Sequence, residues 1–211
     1  MKNLHDYTSD IATIRSAMER SVKFLSLSGL SGVLAGVYAL TGAGITYYLV
    51  YYPHAPIGFP AHEANAQDIL VKLVLIAAGV LVLSLGTAFI MSVHKARRLG
   101  VRLWNTPSKL LLTNLAIPLA TGGAMLSILL WHGYGALVAS TCLIFYGMAL
   151  LMASPLTVSE IRYLGISEIV LGLAAALLPG YGLIFWAGGF GVLHIIYGLV
   201  VYYRYDREKP V

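Results

Sequence analysis

Charged side chains are scarce in this chain. Asp, Glu, Lys and Arg together make up 11% of its 211 residues, 58% are hydrophobic, and the mean hydropathy is +0.79. A soluble domain of this length needs more polar surface, so the composition excludes one and points to lipid as the solvent. Cysteine is nearly absent. Cys142 stands alone inside the apolar run Ala139 to Met152, so no internal disulfide can form and a small packed residue is its default role. No complete catalytic, nucleotide-binding or metal-binding motif occurs, so neither enzymatic activity nor a cofactor is expected. The first 20 residues hold Asp6, Asp10, Arg15, Glu19 and Arg20, which rules out the apolar core of a cleavable signal peptide, and the apolar run that follows is too long for one. The first span is expected to stay uncleaved.

The chain does have long apolar stretches. A spanning helix needs ~20 apolar residues to cross a hydrocarbon core ~30 Å thick. Span one runs from about Val22 to Tyr52, and at ~1.5 Å per residue it reaches ~46 Å, so it must tilt, bend or project. Tyr47, Tyr48, Tyr51 and Tyr52 form an aromatic girdle at its far end, before Pro53 stops it. A loop to Gln67 without Lys or Arg leads into span two, Asp68 to Val93. Span three is Leu110 to Trp131. The turn His132 to Gly135 leads into span four, which ends near Ala153, and Pro155 to Arg162 connects to span five. That span ends at Leu178, a turn forms from Pro179 to Gly182, and span six ends near Tyr203.

Positive charge alternates between the connections. Lys2, Arg15, Arg20 and Lys23 precede span one. Lys95, Arg97, Arg98, Arg102 and Lys109 follow span two, Arg162 lies in the fourth connection, and Arg204, Arg207 and Lys209 close the chain. All of these fall on one side of a six-span arrangement with both termini in the cytoplasm. Of the 14 Lys and Arg only Lys72 departs from the pattern, in the first turns of span two, where its stem can snorkel outward. The net charge of +5 therefore matches anionic headgroups, and no nucleic-acid partner is expected. Before span one, Ile11, Ile14 and Met18 share one helical face between Asp10 and Arg20, and Ser9 can cap it, which predicts an amphipathic surface helix. The expected fold is all-α: a cytoplasmic amphipathic segment at 1–21, a six-helix transmembrane bundle at 22–203, and a charged, exposed tail at 204–211.

Glu168 and His194 are the ionisable residues deepest in the spans. Such residues are costly in lipid and normally face the bundle interior with a partner. Glu168 lies about 12 residues before the turn at Gly180 and Tyr181 and His194 about 13 after it, so both sit ~18–20 Å from the outer end on neighbouring antiparallel helices. Gly165 and Gly172 frame Glu168 as Gly191 and Gly198 frame His194, and the same spacing recurs at Gly29 and Gly36 and at Gly79 and Gly86. These glycines are expected to pack helices closely and to let Glu168 meet His194. The fragments from Gly29 to Gly36 and from Gly165 to Gly172 also overlay, which raises a repeat of helical hairpins. Two readings of the pair stand open: a structural polar contact that fixes helix register, or a proton-coupled or ligand-binding site at the midplane. Asn114 in span three is a supporting polar residue, best read as an interhelical hydrogen-bond donor.

His54, His62, Glu63 and Asp68 match no metal-ligand spacing and read as a solvated loop. His94 and His132 sit at span ends, where an interfacial role suffices. Gly29-Leu30-Ser31-Gly32 has the form that rhomboid-type intramembrane proteases place beside a histidine. Here the serine lies in span one and span two has neither the extra Asn nor the His to match, so close helix packing explains the four residues better.

The segments Met18 to Ser21, Ser26 to Gly32, Ser159 to Gly165 and Gly189 to Gly198 give the chain a resemblance to a family of small multi-span membrane proteins of Bacteroidetes-type bacteria. The resemblance covers most of the chain and implies a bacterial inner-membrane location; it carries no catalytic residue. In architecture alone the chain is similar to acid-stress membrane proteins of the HdeD kind. The expected function is a non-enzymatic regulatory or stress-related membrane component, with a small-solute or proton-coupled transporter as the alternative and an intramembrane enzyme third. The expected partners are the lipid bilayer and either a second copy of the chain or another membrane protein.

Overall fold

The computed structural model describes residues 28–52, 66–98, 100, 104 and 106–207, and their regular structure is entirely helical. Helix α1 (Gly29–Thr46) runs into a π turn (Tyr47–Tyr51). The long helices α2 (Ala66–Arg98) and α3 (Thr106–Trp131) follow. A short 3-10 turn leads into α4 (Val138–Ala153), another joins it to α5 (Glu160–Leu177), and the chain then reverses into α6 (Gly182–Trp186). The last helix continues through a π segment (Ala187–Leu193) into α7 (His194–Val201) and a final π turn (Tyr202–Asp206). Gly180, at φ +126°, makes the reversal after Pro179 with a backbone that a side chain would strain.

Among the described residues, five helical stretches are long and apolar enough to cross a membrane: Gly29–Val50, Asp68–Arg98, Thr106–Trp131, Gly135–Leu156 and Gly182–Asp206. Helix α5, expected as a span, has 18 residues and holds Glu160, Arg162 and Glu168, so charge sets it apart from the other five. It also begins at Glu160, inside what reads in the sequence as a connection. The amphipathic segment expected at Asp10 to Arg20, and the loop that holds His54, His62 and Glu63, lie outside the described residues.

Glycine decides how the helices meet. Gly29, Gly32 and Gly36 of α1 lie directly against the backbone of Gly191 and Gly198 in the last helix, and Gly165 of α5 lies against Gly147 of α4. Such seams bring backbones into contact where any side chain would hold them apart. Gly79 and Gly86 do not pack against the described residues: none of these lies within 4 Å of where their side chains would be. They share the spacing of the packing glycines but sit on the outer face of α2, which leans on α1 and has only 6% of its apolar window buried, against 33% for the α4 stretch. In space the helices run α3, α4, α5, then the last helix, then α1, with α2 outermost.

One end of the bundle is tied by charge. Asp206 accepts hydrogen bonds from Gly29 N–H at 2.8 Å and Ser28 Oγ at 3.2 Å and pairs with Lys95 Nζ at 2.6 Å. It thereby satisfies a free donor at the start of α1 with a carboxylate, the charge that a helix N-terminus favours. Glu160 pairs with Arg204 at 2.7 Å and accepts from Tyr205 and Ser159. Of the tail expected from residue 204, Arg204, Tyr205 and Arg207 are exposed, but the helix continues to Asp206, whose side chain is 11% exposed because its partners lie on α1 and α2.

Candidate functional site

Glu168 projects from the middle of α5 into the seam between α4 and the last helix, where it is completely buried. His194 opens α7, and its Nδ1 lies 3.4 Å from Glu168 Oε1. That spacing is ion-pair distance without hydrogen-bond geometry, and neither carboxyl oxygen of Glu168 has a hydrogen-bond partner among the described residues.

The imidazole is held by two other groups. Nδ1 is 3.0 Å from the Gly189 carbonyl oxygen, and Nε2 is 2.8 Å from the Tyr146 hydroxyl. A carbonyl can only accept, so Nδ1 carries a proton and donates it. In the neutral ring Nε2 then accepts from Tyr146; in the imidazolium both nitrogens donate and the Tyr146 oxygen accepts. Phe190 packs beside both rings, 5.0 Å from Tyr146 and 5.9 Å from His194 between centroids, and closes the site on one side.

The π segment creates this geometry. Its wide turns free the Gly189 carbonyl to face the side chain five residues later, and wide turns of this sort recur at functional sites. Gly189 also makes room for the carboxyl, since a side chain there would collide with Glu168 Oε2 and Leu143. The glycines expected to bring Glu168 and His194 together have other tasks. Gly191 and Gly198 face α1, whereas Gly165 and Gly172 face α4. Gly189 is the residue that admits the pair.

Asn114 does not support the site. Its Nδ2 donates to the Met152 carbonyl oxygen at 3.1 Å, near the opposite end of α4 from the turn at Gly135, and joins α3 to α4. Ser31 forms no dyad with the histidine: its hydroxyl donates to the Ser28 carbonyl at 2.6 Å, and His194 Nε2 is taken by Tyr146. Asp68, His94 and His132 are exposed, and no group of three His, Cys, Asp or Glu is placed to hold a metal ion among the described residues.

Sequence reasoning missed Tyr146 and Gly189. Tyr146 offered a signal. It lies deep in an apolar span, far from the headgroup girdles where tyrosine is common, and a hydroxyl at that depth needs a partner. Gly189 is one of three glycines within four residues, and nothing in the spacing singles it out. Comparison with protein-family models, curated proteins and solved structures finds no match to this chain.

Proposed function

We propose that the chain is a six-span protein of the bacterial cytoplasmic membrane, with both termini inside, and that it acts as a non-enzymatic, proton-responsive component whose proton site is Glu168, His194 and Tyr146. Five stretches have the length and apolarity of spans, and α5 supplies the sixth: Glu160 and Arg162 sit in its first turn at headgroup depth, leaving Glu168 alone in the hydrocarbon. Arg162, Arg204 and Lys95 gather at the end tied by Asp206 and Glu160, which supports facing that end toward the cytoplasm.

The observation that carries the reading is the Glu168 carboxyl, fully buried, without a hydrogen bond among the described residues, beside an imidazole. With one proton between them the pair is neutral overall, as acid and imidazole or as carboxylate and imidazolium. Adding or removing a proton leaves a net charge in the bundle centre, which costs several kcal/mol unless helices shift or water enters. Proton occupancy and packing are therefore coupled. The π segment is the element placed to respond, because Gly189 touches both members of the pair. A device of this kind signals through helix contacts and suits a regulatory or stress-related role.

Hydrogen exchange of the π segment in lipid nanodiscs tests this reading between about pH 5 and 8. The wild type is expected to change its protection across that range and Glu168→Gln to lose the change; an identical response in both defeats the proposal. A helix interrupted beside a buried ionisable pair also favours a second reading, proton-coupled transport of a small solute. Solute flux driven by a pH gradient in proteoliposomes, abolished by Glu168→Gln, would select it.

A further inference from the structure

Three buried side-chain oxygens lack a hydrogen-bond partner among the described residues: the two carboxyl oxygens of Glu168 and the hydroxyl of Tyr197. Unmet buried polar atoms are rare in folded proteins, and each calls for a reason. These three are not scattered. Tyr197 lies on α7 one turn beyond His194, toward the end of the bundle that holds Glu160 and Arg204, and it packs against the same apolar cluster as Tyr146. Tyr146 holds His194 at 2.8 Å, and farther along the last helix Arg204 reaches Glu160 at 2.7 Å. Tyr205 in turn donates to Glu160 at 3.1 Å.

A column of polar groups thus climbs from the charged end to the buried carboxyl, through Tyr197, Tyr146 and His194. The neighbouring apolar residues Leu150, Ile161, Leu164 and Val201 wall it off from lipid. The groups able to gain or lose a proton that face Glu168 are His194 from α7 and, across the imidazole, Tyr146 from α4; the π segment presents only backbone and apolar side chains. Beyond the turn at Gly180 the seam has no counterpart: α6 and the π segment hold no Asp, Glu, Lys, Arg, His or Tyr.

We propose that this column is a one-sided proton path, in which Glu168 exchanges protons only with the end of the bundle that carries Glu160 and Arg204. The proposal rests on the reading of Glu168 as a proton site and adds the route. A hydronium ion at the Glu160 carboxylate gives its proton to the Tyr197 oxygen through an ordered water, as Tyr197 passes its own hydroxyl proton on. Tyr146 accepts that proton across a second ordered water and hands its own to His194 Nε2. His194 then releases the Nδ1 proton to Glu168 Oε1, 3.4 Å away, forming the carboxylic O–H bond. One proton enters and one arrives. Both tyrosines are restored, and the imidazole is left neutral with its proton on Nε2, so it must return to the Nδ1–H form before the next transfer.

The test is time-resolved infrared spectroscopy of oriented proteoliposomes after a pH jump applied to one side. The Glu168 carboxylic band is assigned by its loss in Glu168→Gln. In the wild type the band should follow a jump on the Glu160 side and lag after a jump on the other. Tyr197→Phe should slow it roughly tenfold or more while leaving its final amplitude unchanged, the effect of removing one relay hydroxyl, and Tyr146→Phe, as an independent interruption, should slow it as well. A band that responds equally from both sides, or at wild-type rate in both tyrosine variants, overturns the path and leaves the proton site standing. A wild-type band that never responds to pH overturns both.

Discussion

Two glycine substitutions of identical chemistry should have opposite consequences. A methyl group added at Gly198 would lie 2.6 Å from the Gly29 carbonyl oxygen and 2.9 Å from the Gly32 carbonyl carbon. Both are backbone atoms of α1 and cannot rotate away. Ordinary contact needs about 3.5–4 Å, so α1 and the last helix must part by about 1 Å at their closest seam. Overpacking of this kind costs about 1–3 kcal/mol, and the better helix propensity of alanine returns at most about 1 kcal/mol, so Gly198→Ala should lose about 1–2 kcal/mol. At Gly79 the same methyl meets nothing within 4 Å, and Gly79→Ala should lie between neutral and about 1 kcal/mol more stable. Reversible unfolding by a denaturing detergent in mixed micelles, run on both variants beside the wild type, measures the difference. A Gly198→Ala protein as stable as wild type, or a Gly79→Ala protein destabilised to the same degree, would refute the assignment of one glycine to a seam and the other to an open face.

Asp206→Ala should cost about 1–3 kcal/mol in the same assay, because it strips a carboxylate from Gly29 N–H, Ser28 and Lys95 at once. Arg204→Ala should cost no more than about 1 kcal/mol, since the Arg204 side chain is 66% exposed and its ion pair is screened by water; equal losses in the two variants would contradict this ranking. Asn114→Leu should weaken the α3–α4 contact by about 0.5–1.5 kcal/mol without altering the pH response of the π segment. A changed response would place Asn114 in the site after all.

Hydrophobic length and the rhythm of charge made the helices legible in the sequence, because lipid imposes both on any span. Depth was legible too: counting residues from the turn at Gly180 put Glu168 and His194 level, and their side chains lie 3.4 Å apart. Which face of a helix meets a neighbour was not. The spacing of Gly79 and Gly86 equals that of Gly29 and Gly36, yet spacing records only that two residues share a face, and α2 turns that face outward. Nor could the sequence place the end of the last helix, since Tyr202 to Asp206 stay helical through ion pairs with residues more than 40 positions away. The π segment was illegible for a similar reason. Nothing in the local run of glycines marks Gly189, and the Glu168 carboxyl that fills the space beside it comes from α5, which is a tertiary fact.

The state of the His194 ring tests the site most directly. Nitrogen NMR of histidine-labelled protein in lipid, with His194 assigned through His194→Gln, reads each ring nitrogen separately. With the neutral ring the account predicts a proton on Nδ1, held by Gly189, and an accepting Nε2 whose signal moves in Tyr146→Phe, with both signals altered in Glu168→Gln. A resting ring protonated at Nε2 alone, or one indifferent to the loss of the Glu168 carboxylate and the Tyr146 hydroxyl, would contradict it.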